Sequence, residues 1–271
     1  GSDLMSSPLF EAVEQAGGPV CVGHRAENIL GADLVIRSSA VPDDNQEVQA
    51  AFQTGIPVLK RSEFLGRLME GKFVVAIAGS HGKTTTTSMI AWILSALHRD
   101  PSFIVGGVVE NLGTNARAGR GEEFVIEADE YDRMFLGLKP DLAVVTNVEH
   151  DHPDVFPTAE SFHQAFEDFV SLLRQDGSLI LCSEDSGSAS LAEAVSGKQH
   201  VICYGFAGEG KDYIAGNLKL NQHGSYDFDI LIGPSEEVAA KSISLKVPGK
   251  HNVLNATAAF VVCDQFNLDR S

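Results

Sequence analysis

The chain has 271 residues and a net charge of −17, because 37 aspartates and glutamates outnumber 20 lysines and arginines. This acidic balance excludes a general nucleic-acid surface, which must be basic, although backbone amides can still bind a phosphate locally. The length predicts about two domains. The sequence contains neither an apolar run near the roughly 20 residues that cross a bilayer nor an opening secretory signal. The four cysteines form no C-x-x-C motif, so we expect buried free thiols and a cytoplasmic protein without nucleic-acid or membrane partners.

Short apolar runs alternate with polar helical segments up to about residue 70. This alternation is typical of a parallel α/β sheet that helices cover on both faces. The region is too short for a complete dinucleotide-binding fold, so we predict a partial Rossmann-like domain over residues 1–70. The predicted strands are 20–22, 34–36 and 56–59, and the predicted helices are 8–16, 45–53 and 62–69.

A second α/β domain, with the parallel sheet of a P-loop ATPase, is predicted over residues 71–271. Residues 73–78 are continuously apolar, as in a buried parallel strand, and 84–97 have apolar residues at helical spacing. The later β-prone runs lack intervening helices, which predicts a small antiparallel sheet beside the parallel one. The remaining predicted strands are 103–105, 124–126, 142–145, 179–181, 201–204, 213–215, 228–232 and 243–247, and further helices begin at Thr158 and span 252–266.

A glycine-rich loop joins the first strand and helix of this second domain. Its sequence is Gly79-Ser80-His81-Gly82-Lys83-Thr84-Thr85. A loop in this context places free backbone amides at the positive end of a helix, where phosphate binds. Lys83 would reach the outer phosphates, and Thr84 would offer its hydroxyl to Mg²⁺. Ile77 replaces the first glycine of the general G-x-x-x-x-G-K-[ST] pattern, so only the shorter G-x-x-G-K-[ST] is present.

Carboxylates and histidines follow the next two strands. Glu127, Asp129, Glu130 and Asp132 come after strand 124–126. Ligands bind at the carboxyl ends of parallel strands, and Mg²⁺ held by a carboxylate and substrate phosphates fits there, although a solvated acidic turn stays open.

The strand at 142–145 leads into a loop with two histidines, His150 and His152. His152 is a candidate ligand of a second metal ion or a stabiliser of charge on phosphate. The H-x-H spacing leaves zinc open as a third alternative, but no cysteine and no third histidine is near in the sequence.

The glycine-rich loop resembles the ATP-binding loop of the Mur ligases, which add amino acids to the UDP-muramyl precursor of peptidoglycan. That family's loop also lacks the first glycine. The segments 127–130, 147–152 and 249–256 match the family in the same order, and the resemblance covers essentially the whole chain. Four amino-terminal segments resemble the family's UDP-sugar domain: Gly1-Ser2-Asp3, Gly23-His24, Ser38-Ser39-Ala40 and Arg61-Ser62-Glu63.

The resemblance implies an ATP-dependent ligase of peptidoglycan synthesis. ATP would activate the lactyl carboxylate of UDP-N-acetylmuramate as an acyl phosphate, which the amine of L-alanine would attack. The implied catalytic residues are Lys83 on the γ-phosphate, Glu127 with Thr84 on one Mg²⁺, and His152 on a second. The implied nucleotide-binding residues are Gly79, Ser80, His81, Gly82, Lys83, Thr84, Thr85, His251, Asn252 and Asn255, and the implied UDP-sugar-binding residues are Asp3, His24, Ser38, Ser39 and Arg61.

Other functions stay open at this point. Tyr131 resembles the residue of family members that join a tripeptide, rather than alanine, to UDP-N-acetylmuramate. A nucleotide-binding regulator and a UDP-sugar binder with a decayed ATPase are further alternatives, although no N-K-x-D element indicates guanine binding. The family's first glycine-rich turn and its third domain have no counterpart, so we expect a fragment that is inactive alone.

Overall fold

A computed structural model describes residues 1–38, 40–195, 197, 199–206, 208, 210–233, 235 and 237–266. The chain forms two compact units, Gly1–Leu68 and Met69–Ser271. Both contain helices and parallel strands, which confirms the predicted α/β class. In the described ranges, no helix is long and apolar enough to cross a membrane.

The first unit contains two short parallel sheets, each of two strands. Its small core includes Ile29, Val48, Ala51 and Leu65. In chain order the elements are β1 (Ser2–Asp3), α1 (Pro8–Gln15), β2 (Cys21–Val22), a 3₁₀ helix (Ala26–Ile29), β3 (Val35–Arg37), α2 (Gln46–Thr54), β4 (Val58–Lys60) and α3 (Arg61–Leu68). Strand β1 pairs with β2, and β3 pairs with β4.

The second unit is built on one sheet, in which the described residues form ten strands. In chain order they are β5 (Phe73–Ala78), β6 (Ser102–Val109), β7 (Thr114–Arg117), β8 (Glu123–Glu127), β9 (Leu142–Val145), β10 (Ser178–Cys182), β11 (His200–Gly205), β12 (Tyr213–Leu220), β13 (Tyr226–Ile232) and β14 (Glu237–Ser244). Their spatial order is β14-β13-β12-β11-β10-β9-β5-β8-β6-β7.

Most neighbours in this sheet are parallel, and antiparallel pairs occur only near its two edges among the described strands. The predicted antiparallel portion is confirmed for β12–β13–β14, which continues the parallel sheet instead of lying beside it as a separate sheet. The run 201–204, which was predicted to belong to the antiparallel portion, forms β11 and pairs parallel with both β10 and β12. At the other edge β7 runs antiparallel to β6. The central strand β5 lies between β9 and β8, so the loops that follow these three strands meet at one edge.

Helices cover the sheet. They are α4 (Lys83–Ala96), α5 (Ala159–Val170), α6 (Ser186–Ser190) and α7 (Lys250–Asp264), and two 3₁₀ helices span Tyr131–Gly137 and Leu191–Ala194. Helices α4 and α7 share an apolar core with Val75 and Ile77 of β5. The intervening Val74 and Ala76 are equally buried, because alternate residues of a strand point to opposite faces. The phenylalanines of α5 are buried, and two of them, Phe166 and Phe169, contact the ring of Phe135.

Several local predictions differ from the structure. The strand predicted at 243–247 is displaced along the chain: β14 begins earlier, at Glu237, and ends at Ser244. Strands β1 and β7 were not predicted. Strand β1 has only two residues, and the sequence of β7, TNAR, is polar, so neither shows the alternation typical of a strand. All four cysteines are free, as expected. However, the expectation of burial is wrong for Cys21, which is exposed because β2 is exposed along its length, and Cys203 is only partly buried.

Candidate active site

The glycine-rich loop is held in shape by residues that follow the neighbouring strand β9. Thr146 donates from Oγ1 to the carbonyl of His81 at 2.6 Å. The side chain of Asn147 accepts from the backbone N–H of His81 at 2.8 Å and donates to its carbonyl at 3.1 Å. Ser80 Oγ donates to the Glu149 carbonyl at 2.7 Å and accepts from its N–H at 2.8 Å. These hydrogen bonds hold the part of the loop that precedes helix α4.

Lys83 is the first residue of α4, and its ammonium group turns back toward the loop. Its Nζ donates to the carbonyls of Gly79 at 2.5 Å and Ser80 at 3.4 Å. The same Nζ donates to Glu130 Oε1 at 2.8 Å. Lys83 is 13% exposed at its side chain and Glu130 is fully buried, so this ion pair is shielded from solvent. Thr85, which follows in the first turn, is half-buried.

Thr84 and Glu127 form the second pair at this edge of the sheet. Glu127 is the last residue of β8, and β8 lies beside β5, which leads into the loop. Thr84 Oγ1 donates to Glu127 Oε1 at 2.9 Å, and the backbone N–H of Gly106 donates to Glu127 Oε2 at 2.6 Å. One hydroxyl and one carboxylate thus present oxygen atoms together.

His152 adopts a left-handed backbone conformation, with φ of +52°. Its Nε2 lies 3.6 Å from Glu130 Oε1, and its ring packs edge-to-face on Tyr131 at 5.2 Å between centroids. The backbone N–H of His152 donates to Asp151 Oδ1 at 2.7 Å, and this bond holds the pKa of that carboxyl below its usual value. His150 instead bonds through Nε2 to the carbonyl of Phe156 at 2.8 Å, which is a structural role.

The start of helix α7 completes the surroundings of the loop. A Cβ placed on Gly82, whose φ is +85°, would stand 2.6 Å from Asn255 Oδ1. Asn255 donates to Asn252 Oδ1 at 3.1 Å, and Asn252 donates to the carbonyl of Pro248 at 2.7 Å. Both asparagines are buried, whereas His251 is exposed beside them. Segment 249–256, which was matched to the family in the sequence, therefore contacts the glycine-rich loop through Asn255.

The donor set at this edge suits Mg²⁺ better than zinc. Within the described ranges, no group of three or more histidine, cysteine, aspartate or glutamate side chains could hold a metal ion by itself. Mg²⁺ is typically bound by one or two carboxylates together with substrate phosphates. The Thr84 hydroxyl and the Glu127 carboxylate match that pattern, while His152 contacts Glu130 and lies in no such ready-made group.

In the first unit, a cavity of about 690 Å³ is lined by several of the predicted UDP-sugar residues. Asp3, His24 and Ser38 line it, whereas Arg61 begins α3 and is not among the lining residues. Ser39 lies outside the described residues, so its predicted role has no structural counterpart here. Ser2 Oγ lies 2.9 Å from His24 Nδ1, which connects β1 to the cavity wall.

Sequence reasoning missed Glu47, which organises this cavity. Its carboxylate accepts from Ser2 Oγ at 2.7 Å and from Asn28 Nδ2 at 2.6 Å, and it lies 3.5 Å from His24. Burial opposes ionisation, but hydrogen bonds from Ser2, Asn28 and the N–H of Arg25 outweigh it. The pKa of Glu47 therefore lies below its usual value. Glu47 lies in the first turn of α2, where acidic residues are common, so its sequence position did not indicate a role in the cavity.

Sequence models of two domains match the chain. The Mur ligase middle domain matches residues 77–263, and the Mur ligase family catalytic domain matches residues 1–73. The chain belongs to the Mur ligase family. The two matches together include the glycine-rich loop, Glu127, His152 and the residues that line the cavity in the first unit.

Individual Mur ligases are similar over nearly the whole chain. UDP-N-acetylmuramate–L-alanine ligase of Arthrobacter sp. (strain FB24) is 42% identical over 264 residues, which is 97% of this chain and 54% of that protein. The chain thus spans about half the length of the curated relatives it matches.

Two solved structures illustrate the fold. A tripeptide ligase from Neisseria meningitides, UDP-N-acetylmuramate:L-alanyl-γ-D-glutamyl-meso-diaminopimelate ligase, superposes with a TM-score of 0.85 at 27% identity, covering 100% of this chain and 86% of that one. UDP-N-acetylmuramate–alanine ligase of Thermotoga maritima gives a TM-score of 0.79 at 26% identity, covering 99% and 59%.

Proposed function

We propose that the protein containing this chain joins L-alanine to UDP-N-acetylmuramate in an ATP-dependent reaction of peptidoglycan precursor synthesis. The observation that carries the proposal is that the Lys83–Glu130 ion pair and the Thr84–Glu127 hydrogen bond both lie beside the glycine-rich loop, at the carboxyl edge of adjacent strands. Family membership and the roughly 40% identity of several alanine ligases support the same reaction.

The chemistry needs cationic and amide groups at this edge. A carboxylate is a poor acyl donor until it is phosphorylated, and its attack on ATP brings two anions together. In the proposal, the loop amides and Lys83 bind the outer phosphates, and Lys83 offsets the charge that develops during transfer. The carboxylate of UDP-N-acetylmuramate attacks the γ-phosphorus of ATP, and ADP leaves as the acyl phosphate forms. The alanine amine then attacks the acyl carbon, loses a proton and expels phosphate, which leaves the amide. His251, Asn252 and Asn255 would contact the nucleotide from α7.

Thr84 and Glu127 are the residues we propose for Mg²⁺, which would supply positive charge on the phosphates. Their hydroxyl and carboxylate oxygens are of the type that Mg²⁺ prefers. His152 is proposed to stabilise charge on phosphate or to ligate a second ion. Asp3, His24 and Ser38 are proposed to bind the UDP-sugar, because they line the cavity of the first unit.

A tripeptide as the amine substrate is the second candidate. The observation that favours it is the TM-score of 0.85 with the Neisseria ligase, against 0.79 for the Thermotoga alanine ligase. The Arthrobacter alanine ligase, at 42% identity, is more similar to the chain in sequence than the Neisseria ligase, at 27%. A cytoplasmic location, and inactivity of the 271-residue chain alone, stay predictions.

The test measures phosphate release by the full-length product of the gene that carries this chain. ATP, Mg²⁺ and UDP-N-acetylmuramate are supplied with either L-alanine or the tripeptide, and the product is identified by mass spectrometry. We expect release with L-alanine. Release with the tripeptide alone would select the second candidate, and release independent of any amine would refute both ligase reactions.

Lys83→Met tests the phosphate site. It should abolish turnover and weaken nucleotide binding by about 1.5–3 kcal/mol, the usual contribution of a charged hydrogen bond. Lys72→Met is the matched control, because Lys72 precedes β5 at its other end and donates to the carbonyl of Gly121. Normal turnover of Lys83→Met would mean that the phosphates bind elsewhere.

A further inference from the structure

Glu130 is a buried carboxylate that none of the proposed steps uses. It directly precedes the 3₁₀ helix Tyr131–Gly137, and its side chain is fully buried. Its Oε1 accepts from Lys83 at 2.8 Å and lies 3.6 Å from His152 Nε2. Burial of a carboxylate costs free energy unless it is paired, and both groups near Oε1 are basic. Glu130 therefore connects two proposed catalytic side chains.

Only one of the two Glu130 oxygens is satisfied. Oε2 is buried and has no hydrogen-bond partner among the described residues. Buried polar atoms in native proteins are normally hydrogen-bonded, and exceptions concentrate at functional sites. A carboxylate beside an anion-binding loop also opposes phosphate binding, because its charge repels the ligand. A purely structural position beside the loop would avoid this repulsion with a neutral side chain.

Strand order explains why this position can act on both groups. Lys83 follows the loop after β5, and His152 lies in the loop after β9. Glu130 follows β8, on the other side of β5 from β9, and its side chain reaches both. The remaining bonds of Lys83 go to Gly79 and Ser80 of its own loop, so Glu130 is the contact that relates the ammonium group to His152.

We propose that Glu130 is a positioning residue and counter-anion of the phosphate site, which holds Lys83 and His152 in one arrangement and offsets the Lys83 charge. This inference rests on the proposed ATP-dependent function. It implies two opposite effects of Glu130. Its charge weakens nucleotide binding, and the arrangement of Lys83 and His152 that it maintains speeds phosphoryl transfer.

Glu130→Gln separates these two effects, because it removes the charge and keeps the shape. We expect the Kd for the non-hydrolysable analogue AMP-PNP with Mg²⁺ to fall by roughly threefold or more, since Lys83 would no longer be neutralised. In the full-length gene product, kcat should fall roughly tenfold or more, because a neutral amide holds Lys83 and His152 less firmly than a carboxylate does. A residue with a merely structural role would not tighten nucleotide binding.

Glu123→Gln is the matched control. Glu123 stands at the opposite end of β8, is 1% exposed, pairs with Arg99, and likewise has an Oε2 without a hydrogen bond in the described structure. Neutralising it should lower stability without changing AMP-PNP affinity. Glu130→Asp keeps the charge but retracts it, so affinity should stay within about twofold of the parent while kcat falls.

A double-mutant cycle tests whether Glu130 acts through Lys83. In a Lys83→Met background, Glu130→Gln should no longer tighten AMP-PNP binding. Weaker or unchanged binding in Glu130→Gln, or parental kcat in Glu130→Asp, would overturn the inference and leave the proposed function standing. Absence of AMP-PNP binding by the unsubstituted full-length protein would overturn both. If Glu130→Gln does not fold, the kcat of Glu130→Asp still decides the positioning role.

Discussion

Replacing Gly82 by alanine tests how closely the phosphate loop packs against helix α7. The backbone of Gly82 has φ of +85°, where a side chain costs about 1–2 kcal/mol. The new Cβ would also stand 2.6 Å from Asn255 Oδ1. Asn255 is 5% exposed and bonded to Asn252, so it cannot move away freely. Overpacking of this kind adds about 1–3 kcal/mol, so the free energy of unfolding should fall by about 2–5 kcal/mol in total.

Gly113→Ala isolates the backbone part of this cost. Gly113 has φ of +69° in the turn between β6 and β7, and a Cβ there would meet nothing within 4 Å. Its substitution should therefore cost only the about 1–2 kcal/mol of the left-handed conformation. The difference between the two variants measures the contact with Asn255. Adding Asn255→Ala to each variant should remove that difference, because the clash partner is gone.

Urea unfolding followed by tryptophan fluorescence measures both costs. Trp92 is the single tryptophan of the chain and lies in α4, the helix that Gly82 precedes, so its signal reports unfolding of the second unit. A shift of the midpoint without a change in slope identifies a change in stability. An equal loss in Gly82→Ala and Gly113→Ala would refute the close packing of loop and α7.

Two further predictions concern titration. The pKa of Glu47 in the folded chain lies below 4.5, so its stabilising effect is present above that pH and is lost as the pH falls through the folded pKa. Glu47→Gln should accordingly reduce the acid sensitivity of thermal unfolding, and an unchanged pH profile would contradict the hydrogen bonds described. Burial raises the pKa of Cys263 to about 12, so iodoacetamide at neutral pH should modify the exposed Cys21 and spare Cys263. Peptide mass spectrometry reports the order, and equal labelling would contradict the burial.

Strands in the middle of the sheet were the most predictable part of the fold. Residues 73–78 and 142–145 were predicted from continuous apolar runs, and β5 and β9 have the same bounds. Burial on both faces leaves no polar positions, so the pattern is unambiguous. Edge strands are exposed on one side and carry polar residues. Strand β7 was therefore missed, and β14 was shifted toward Val247.

The positions of the candidate site residues could be predicted where a recognisable motif directly follows a strand. Lys83, Thr84, Glu127 and His152 each have a recognisable neighbourhood in the sequence, and strand order then brings their loops to one edge. Glu130 could not be distinguished from the acidic residues around it. Whether a carboxylate in such a run faces solvent or Lys83 depends on the 3₁₀ helix that follows, and its sequence carries no strong periodicity.

The packing of α7 on α4 leaves an apolar face of the nascent chain uncovered during translation. The inner face of α4, with Ile90 and Leu94, is covered by residues of α7 that lie about 165 positions later in the sequence. At typical translation rates α7 leaves the ribosome roughly 10–30 s after α4. During that interval an apolar helix face is uncovered and Gly82 lacks its contact with Asn255. The contact between the glycine-rich loop and α7 therefore forms only after α7 has been synthesised, and until then the nascent chain presents an apolar surface of the kind that makes chaperones necessary.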